Sequence, residues 1–194
     1  MRAPEDPTQS DDVYQRRLAI AAALGSKASI TTGIKPATLN DHYRTRIEEI
    51  AINLTARQCI EFSFECSLRA VTVWEVKVPM DPRPRQAVEA VRAWLAGDRN
   101  MDFQNLCDAA ARAGFDVDYP ELTEDIDADL VAAMEAASTC SHLALAVHSH
   151  TSHEGQEELC AITAWIARGA VKSAIDRAQE TQRQSSSLIL KLLE

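Results

Sequence analysis

Glycine and proline are scarce in this chain, with 6 and 7 residues among 194. A turn-rich β-protein needs many of both, so the shortage argues against that class. Alanine is abundant instead and often occurs in runs such as Ala109–Ala111. Apolar residues at 46% and charged residues at 25% are ordinary globular values. The composition therefore predicts an all-α protein, and a chain of this length is typical of a single domain.

The sequence also lacks a long apolar run and paired cysteines. No unbroken apolar run reaches the roughly 18 residues that a membrane span needs. Residues 1–10 are polar and contain proline, unlike a signal peptide, so we expect a disordered tail there. The five cysteines are odd in number, scattered and never spaced as C-x-x-C, which favours reduced thiols. We therefore expect a cytoplasmic protein that does not enter a membrane.

Lysine and arginine are absent from Ala113 to Ala167, a stretch that holds eleven acidic residues. Seven of these acids fall where a loop meets a predicted helix start, and we call them the acidic face: Asp116, Asp118, Glu121, Glu124, Asp125, Asp127 and Asp129. A surface of one sign repels nucleic acid and attracts basic partners. We expect the acidic face to meet a basic protein and the chain not to bind nucleic acid. The alternative is that these acids only keep a loop and a helix start soluble.

Apolar residues recur at steps of three and four along six or seven segments, which predicts a bundle of that many helices. The predicted helices lie at Asp11–Leu24 and Asn40–Asn53, then from Thr55 to Val78, from the prolines near Pro84 to Gly97, over Met101–Ala113, from Thr123, and from Thr151. Together they predict a helical domain over residues 11–184. A break at Ser185–Ser187 and an apolar extension over residues 185–194 follow. We expect the extension to dock on the domain; the alternative is that it binds a partner or a second copy.

Three histidines, His148, His150 and His153, form the one cluster of metal-type ligands in the sequence. Their spacing matches neither H-E-x-x-H nor Glu-x-x-His, so we expect no metal and no cofactor. If a metal binds at all, these three side chains are its candidate ligands. His148 lies in an apolar stripe, where a histidine is either buried and hydrogen-bonded to a neighbouring helix or lines a pocket.

Catalytic motifs are missing as well. The sequence has no G-x-S-x-G, no S-x-x-K and no glycine-rich phosphate loop. Cys140 and His142 stand two apart on a predicted helix, so their side chains do not face each other as a nucleophile and its base. We therefore expect no catalytic residues.

The densest run of functional residue types is D-P-R-P-R-Q-A-V-E-A-V-R-A-W, from Asp81 to Trp94. Arg83 and Arg85 stand near three carboxylates, those of Glu75, Asp81 and Glu89. This arrangement predicts a buried ion-pair network that ties a helix start to its neighbour. The alternative is that the two arginines contact an anion or a partner.

The same run resembles the signature D-x-R-P-R-x-A-[IV]-E-A-x-R-A-W of an immunity-protein family from bacterial polymorphic toxin systems. The matching positions are Asp81, Arg83, Pro84, Arg85, Ala87, Glu89, Ala90, Arg92, Ala93 and Trp94. Downstream, Ala136 to His148 resembles that family's alanine-rich helix with its final Ala-x-His step. The resemblance covers about residues 53–175.

This resemblance implies an α-helical antidote without catalysis whose partner is a cognate protein toxin. Our candidate residues for partner binding or for a structural network are Asp81, Arg83, Arg85, Glu89, Trp94 and His148. With the acidic face, it predicts that the chain sequesters a basic toxin. Two other functions stay open: a metal- or ligand-dependent enzyme with an interhelical pocket around His148, and a helical scaffold that assembles through its C-terminal segment.

Overall fold

The structure is a computed structural model that describes residues 39–117, 127–152, 155–174 and 176–193, together with Gln15 and Ala19. The described part contains seven helices and no strand: α1 Leu39–Ala51, α2 Ala56–Lys77, α3 Arg83–Leu95, α4 Phe103–Asp116, α5 Ala128–Thr151, α6 Gln156–Ser173 and α7 Arg177–Leu193. The all-α prediction is confirmed. The predicted tail and the predicted helix Asp11–Leu24 lie outside the described residues, except that Gln15 and Ala19 are helical.

Several helices begin where the sequence supplies a cap. Thr55 forms a full capping box with Gln58 at the start of α2, because each side chain bonds to the other residue's backbone N–H. Asp102 Oδ1 accepts the backbone N–H of Asn105 at 3.0 Å and so caps α4. Each such cap accepts a hydrogen bond from a backbone N–H that has no partner within the first helical turn. One cap stabilises its helix by about 1 kcal/mol.

The start and end of α3 follow from its prolines and glycine. Pro82 and Pro84 lie at the N-terminus, where a missing N–H costs no hydrogen bond. Gly97 follows the helix with φ of +112°, a left-handed conformation that favours glycine. The β-branched run Val71-Thr72-Val73 is helical and belongs to α2. It stays helical because the apolar stripe of α2 continues through it, with Val71 and Trp74 fully buried.

Helix α5 is the centre of the bundle. It packs against α2, α3, α4 and α6, while α6 also packs against α1, α2 and α7. Small residues such as Ala133, Ala137 and Ala144 are completely buried along α5, which allows close packing on several sides. Among the described residues, α5 is the one helix long and apolar enough to cross a membrane, with a mean hydropathy of 1.4 over 18 residues. In this fold it is a core helix.

Two predicted helix boundaries are wrong. Gly114 does not end α4: it lies inside the helix, buried against Ala137 of α5, and α4 continues to Asp116. Thr151 does not cap the next helix. Its hydroxyl donates to the carbonyl of Val147 at 2.9 Å, so Thr151 is the last residue of α5, and α6 begins at Gln156.

The predicted break at Ser185–Ser187 is also wrong, because α7 runs through it without interruption. The Ser185 hydroxyl donates to the Thr181 carbonyl at 3.0 Å, and Ser186 bonds back to Gln182 at 3.1 Å. Serine is tolerated in a helix when its hydroxyl finds a carbonyl of the preceding turn. The sequence signal for a flexible segment is therefore overridden by local hydrogen bonds.

Helix α7 docks on the domain along its whole length. Leu188 and Leu192 are 0% and 1% exposed. At its C-terminal end, the Gln58 side chain donates to the Lys191 carbonyl at 2.7 Å, and Lys191 Nζ lies 3.2 Å from Glu65 Oε1. The apolar face of the C-terminal segment is therefore covered by the chain itself in this structure.

Buried polar groups fix the other end of α7. Glu180 is 3% exposed and accepts two hydrogen bonds from Arg69 of α2, at 2.8 and 2.9 Å. Gln184 donates to Glu180 Oε1 at 2.8 Å and to the Ala167 carbonyl at 3.1 Å, and it accepts the hydroxyl of Tyr43. This network, which we call the α7 clasp, joins α1, α2, α6 and α7.

Candidate functional site

Arg83 connects the start of α3 to the end of α4. Its guanidinium donates to both carboxylate oxygens of Asp81, with Nε–Oδ1 at 3.0 Å and Nη2–Oδ2 at 2.6 Å. Its Nη1 lies 2.6 Å from Asp116 Oδ2. The same Asp81 carboxylate accepts the backbone N–H of Arg83, so it also shapes the turn before α3. These hydrogen bonds hold the pKa of Asp81 below its ordinary value.

Arg85 connects α3 to α2. Its Nε and Nη2 donate to the two carboxylate oxygens of Glu75 at 2.6 and 2.5 Å. Its Nη1 lies 3.6 Å from Glu89, which also pairs with Arg92 at 3.0 Å. The hydrogen bonds from Arg85 lower the pKa of Glu75. We call this set the signature cluster: Glu75, Asp81, Arg83, Arg85, Glu89 and Asp116.

The signature cluster contains the ion pairs that the sequence predicts, but it is not buried. The side chains of Arg83 and Arg85 are 29% and 28% exposed, and that of Asp116 is 59% exposed. The cluster lies at the surface, where the end of α2, the first two turns of α3 and the end of α4 come together. Both arginines already have carboxylate partners, so the geometry favours a structural tie between α2, α3 and α4.

Trp94 is a core residue with polar neighbours. It is 4% exposed, the Arg99 guanidinium lies 4.3 Å from its ring centroid, and His150 meets it edge-on at 5.9 Å. Its indole Nε1 is buried and has no acceptor within the described part of the chain. Trp94 thus anchors α3 to the bundle.

His148 is half-buried, and none of the clefts described below is lined by it. Its neighbour His150 is exposed apart from the contact with Trp94. His153 lies outside the described residues. Across the described ranges, no three His, Cys, Asp or Glu side chains come together as metal ligands.

The acidic face is described at three of its seven positions. Asp127 pairs with Lys77 at 2.5 Å, which lowers the pKa of Asp127, and Asp116 pairs with Arg83. Asp127 also caps α5 by accepting the Asp129 N–H at 2.9 Å, and Asp129 is exposed. The remaining four lie outside the described residues: Asp118, Glu121, Glu124 and Asp125. Two of the three described acids therefore already have a cation beside them.

A cleft between α5 and α6 brings together residues that the sequence did not single out. It has a volume of about 400 Å³, and Trp165, Arg168 and Lys172 of α6 line it together with Ser138 and His142 of α5. We call it the Trp165 cleft. Two arginine guanidinium groups lie near the Trp165 ring centroid, Arg168 at 4.9 Å and Arg44 at 5.2 Å. His142 stacks on the same ring at 6.3 Å.

The charges around the Trp165 cleft are not balanced. Lys172 pairs with Glu135 at 2.6 Å, and Arg44 lies 3.5 Å from Glu48. No carboxylate within the described ranges forms an ion pair with Arg168, and its Nε is buried without an acceptor. The cleft therefore carries one unpaired positive charge on a chain whose formal net charge is −9.

Sequence reasoning missed this cleft because its residues come from distant segments. Ile162 and Ile166 belong to the apolar stripe on the buried side of α6. Trp165 lies off that stripe, and the signal that could have found it is its spacing of three from Arg168, which puts both side chains on one face of a helix.

A family model described as Imm-5 like putative immunity protein matches residues 51–189, well over half of the chain. The match includes the signature cluster and the α5–α6 walls of the Trp165 cleft. No curated protein and no solved structure matches the chain. The resemblance to an immunity-protein family is confirmed at the level of the family, while the signature motif itself stays a prediction. The chain belongs to the Imm-5 like putative immunity protein family.

Proposed function

We propose that this chain is a bacterial immunity protein that binds a cognate protein toxin in the cytoplasm and neutralises it without catalysis. The observation that carries the proposal is the family match over residues 51–189. The fold supports it, because a bundle with a tightly packed, alanine-rich centre presents rigid helical surfaces for a partner.

We further propose that the toxin is basic where it meets the acidic face. The supporting observation is the charge distribution, since Ala113 to Ala167 contains eleven acids and no lysine or arginine. A concentrated negative potential raises the association rate with a basic partner and suits a toxin that itself binds a polyanion. Asp129 is exposed and forms no ion pair with another described residue. Among the described members of the acidic face, it is therefore the one best placed to attract a basic partner.

Co-expression with the toxin encoded beside the gene tests the first proposal. Cells that make the toxin alone should stop growing, and cells that also make this protein should grow. The purified pair should form a stoichiometric complex by size-exclusion chromatography. Growth arrest despite abundant folded protein, with no complex, would refute the proposed function.

A pair of double variants with the same change in net charge tests the acidic face. Asp125→Lys with Asp129→Lys should slow association about tenfold at low salt and flatten its salt dependence. Asp98→Lys with Asp108→Lys changes the net charge equally but outside the acidic face, and it should leave the rate within about twofold. Equal effects of the two double variants would show that only total charge matters.

A further inference from the structure

Trp165 stands apart from the other two tryptophans of the chain. Trp74 and Trp94 are 0% and 4% exposed, whereas Trp165 is 42% exposed. An exposed tryptophan beside arginines is a combination typical of protein interfaces, because tryptophan and arginine are enriched among the residues that contribute most to binding energy. Here the exposed tryptophan has arginines beside it and a cleft next to it.

Arg168 shows which chemistry the cleft requires. All other half-buried arginines of the described ranges have a carboxylate within salt-bridge distance: Arg44, Arg46, Arg69, Arg83 and Arg85. Arg168 has none, and its buried Nε has no acceptor. A partly desolvated guanidinium without an anion is best complemented by a carboxylate that arrives from outside.

The grooved surface extends beyond the Trp165 cleft. On the other side of the α5 ridge formed by Glu135, Ser138 and His142, a second cleft of about 440 Å³ lies between α4 and α5. It is lined by Phe115 and Val131, which are 78% and 42% exposed. Exposed apolar side chains on both sides of one ridge match the footprint of a protein partner.

We propose that the Trp165 cleft is a contact site for the toxin, in which an acidic side chain of the toxin pairs with Arg168 and an apolar neighbour packs on Trp165. This inference rests on the proposed function and adds a site of opposite charge to the acidic face. The toxin therefore presents a carboxylate beside an apolar residue, separately from its basic region.

Binding measurements with the toxin test the proposal. Trp165→Ala should raise the dissociation constant by about 30-fold or more, Arg168→Ala by about tenfold, and Arg168→Glu by more than Arg168→Ala, since it places two carboxylates together. Matched controls on α7 are Leu190→Ala and Arg183→Ala, which remove an exposed leucine and an exposed arginine that do not line the cleft. They should change the dissociation constant less than about threefold.

A spectroscopic experiment on the unaltered chain avoids any effect of the variants on folding. The immunity protein is labelled with 5-fluorotryptophan, which gives one ¹⁹F resonance for each of its three tryptophans, and Trp165→Phe assigns the cleft signal. Saturation with unlabelled toxin should shift the Trp165 resonance and leave those of Trp74 and Trp94 in place.

The outcomes separate this inference from the proposed function. If the wild-type protein forms a complex and protects cells while the Trp165 resonance does not move, the inference is wrong and the function stands. If sodium glutarate moves that resonance and the toxin does not, the cleft is a small-carboxylate site and the inference is also wrong. If no complex forms and cells are not protected, both proposals fail.

Discussion

Arg69 of α2 and Arg168 of α6 are both half-buried arginines on core helices, and they differ in what surrounds them. Arg69 has its carboxylate inside the chain, since Glu180 accepts two of its hydrogen bonds at 2.8 and 2.9 Å. Arg168 has no such partner among the described residues and lies against an exposed tryptophan. Removing one partner of a charge pair inside the fold destabilises the fold, whereas a charge left without a partner is available to another molecule. The α7 clasp thus ties the helices of the fold together, whereas the Trp165 cleft is the proposed contact site for a partner.

The largest expected effect is the loss of the α7 clasp. Glu180→Ala removes the carboxylate that accepts hydrogen bonds from Arg69 and Gln184 and leaves the Arg69 guanidinium without its ion-pair partner. We expect the free energy of unfolding to fall by about 3 kcal/mol. Urea unfolding followed by circular dichroism measures it. As a control, Glu49→Ala removes an exposed pair with Arg46 and should cost less than about 0.5 kcal/mol. A loss of less than about 1 kcal/mol for Glu180→Ala would show that the clasp is not a stabilising element.

A smaller effect is expected in the signature cluster, because its side chains are more exposed. Glu75 is 40% exposed, so Arg85→Ala should lower the free energy of unfolding by only about 1 kcal/mol at pH 7. The lowered pKa of Glu75 gives the sign of the pH dependence. The stabilisation is complete above the ordinary glutamate pKa of 4.5 and is lost as the pH falls through the lower pKa of the folded state.

Unfolding experiments at pH 7, 5 and 3 check this sign. The difference between wild type and Arg85→Ala should be constant from pH 7 to 5 and shrink toward pH 3. Arg92→Ala, which removes a more exposed pair with Glu89, serves as the control and should show less than half the effect. A difference that persists undiminished at pH 3 would mean that Arg85 stabilises the fold by packing rather than by its ion pair.

The smallest effect on stability is expected at Arg168. Because Arg168 has no ion pair to lose within the described ranges, Arg168→Ala should change the free energy of unfolding by less than about 0.5 kcal/mol. The same variant should weaken toxin binding about tenfold. Arg168→Ala is therefore expected to act on binding rather than on stability, whereas Glu180→Ala is expected to act on stability. A stability loss above about 1.5 kcal/mol would place Arg168 among the structural residues.

The parts of the fold that the sequence predicts are those decided locally. The caps at Thr55, the stop at Gly97 and the apolar stripe of α6 depend on residues within a few positions of each other. The pairing of Arg83 and Arg85 with nearby carboxylates is local in the same sense, except for the contact with Asp116. Periodicity and capping chemistry are sufficient for such features.

What the sequence does not predict depends on tertiary contacts. The Ser185–Ser187 segment is helical because Leu188 and Leu192 anchor it, the hydroxyls of Ser185 and Ser186 bond to the preceding turn, and that of Ser187 donates to Glu65 of α2. The α7 clasp joins residues 111 positions apart. The Trp165 cleft forms where α5 and α6 meet, and Arg44 of α1 lies over Trp165, so its chemistry cannot be read from spacing along one segment.

Gly169 has a consequence for how fast this protein acts. A Cβ added at Gly169 of α6 would collide with the Thr139 hydroxyl of α5, which is itself bonded to the Glu135 carbonyl at 2.6 Å. Helices α5 and α6, the two walls of the Trp165 cleft, are therefore almost in backbone contact at this point. The distance between them can change little. A preorganised cleft loses little conformational entropy on binding and needs no rearrangement before docking. Under the proposed function, the onset of protection is then limited by diffusion and electrostatic steering rather than by a conformational step.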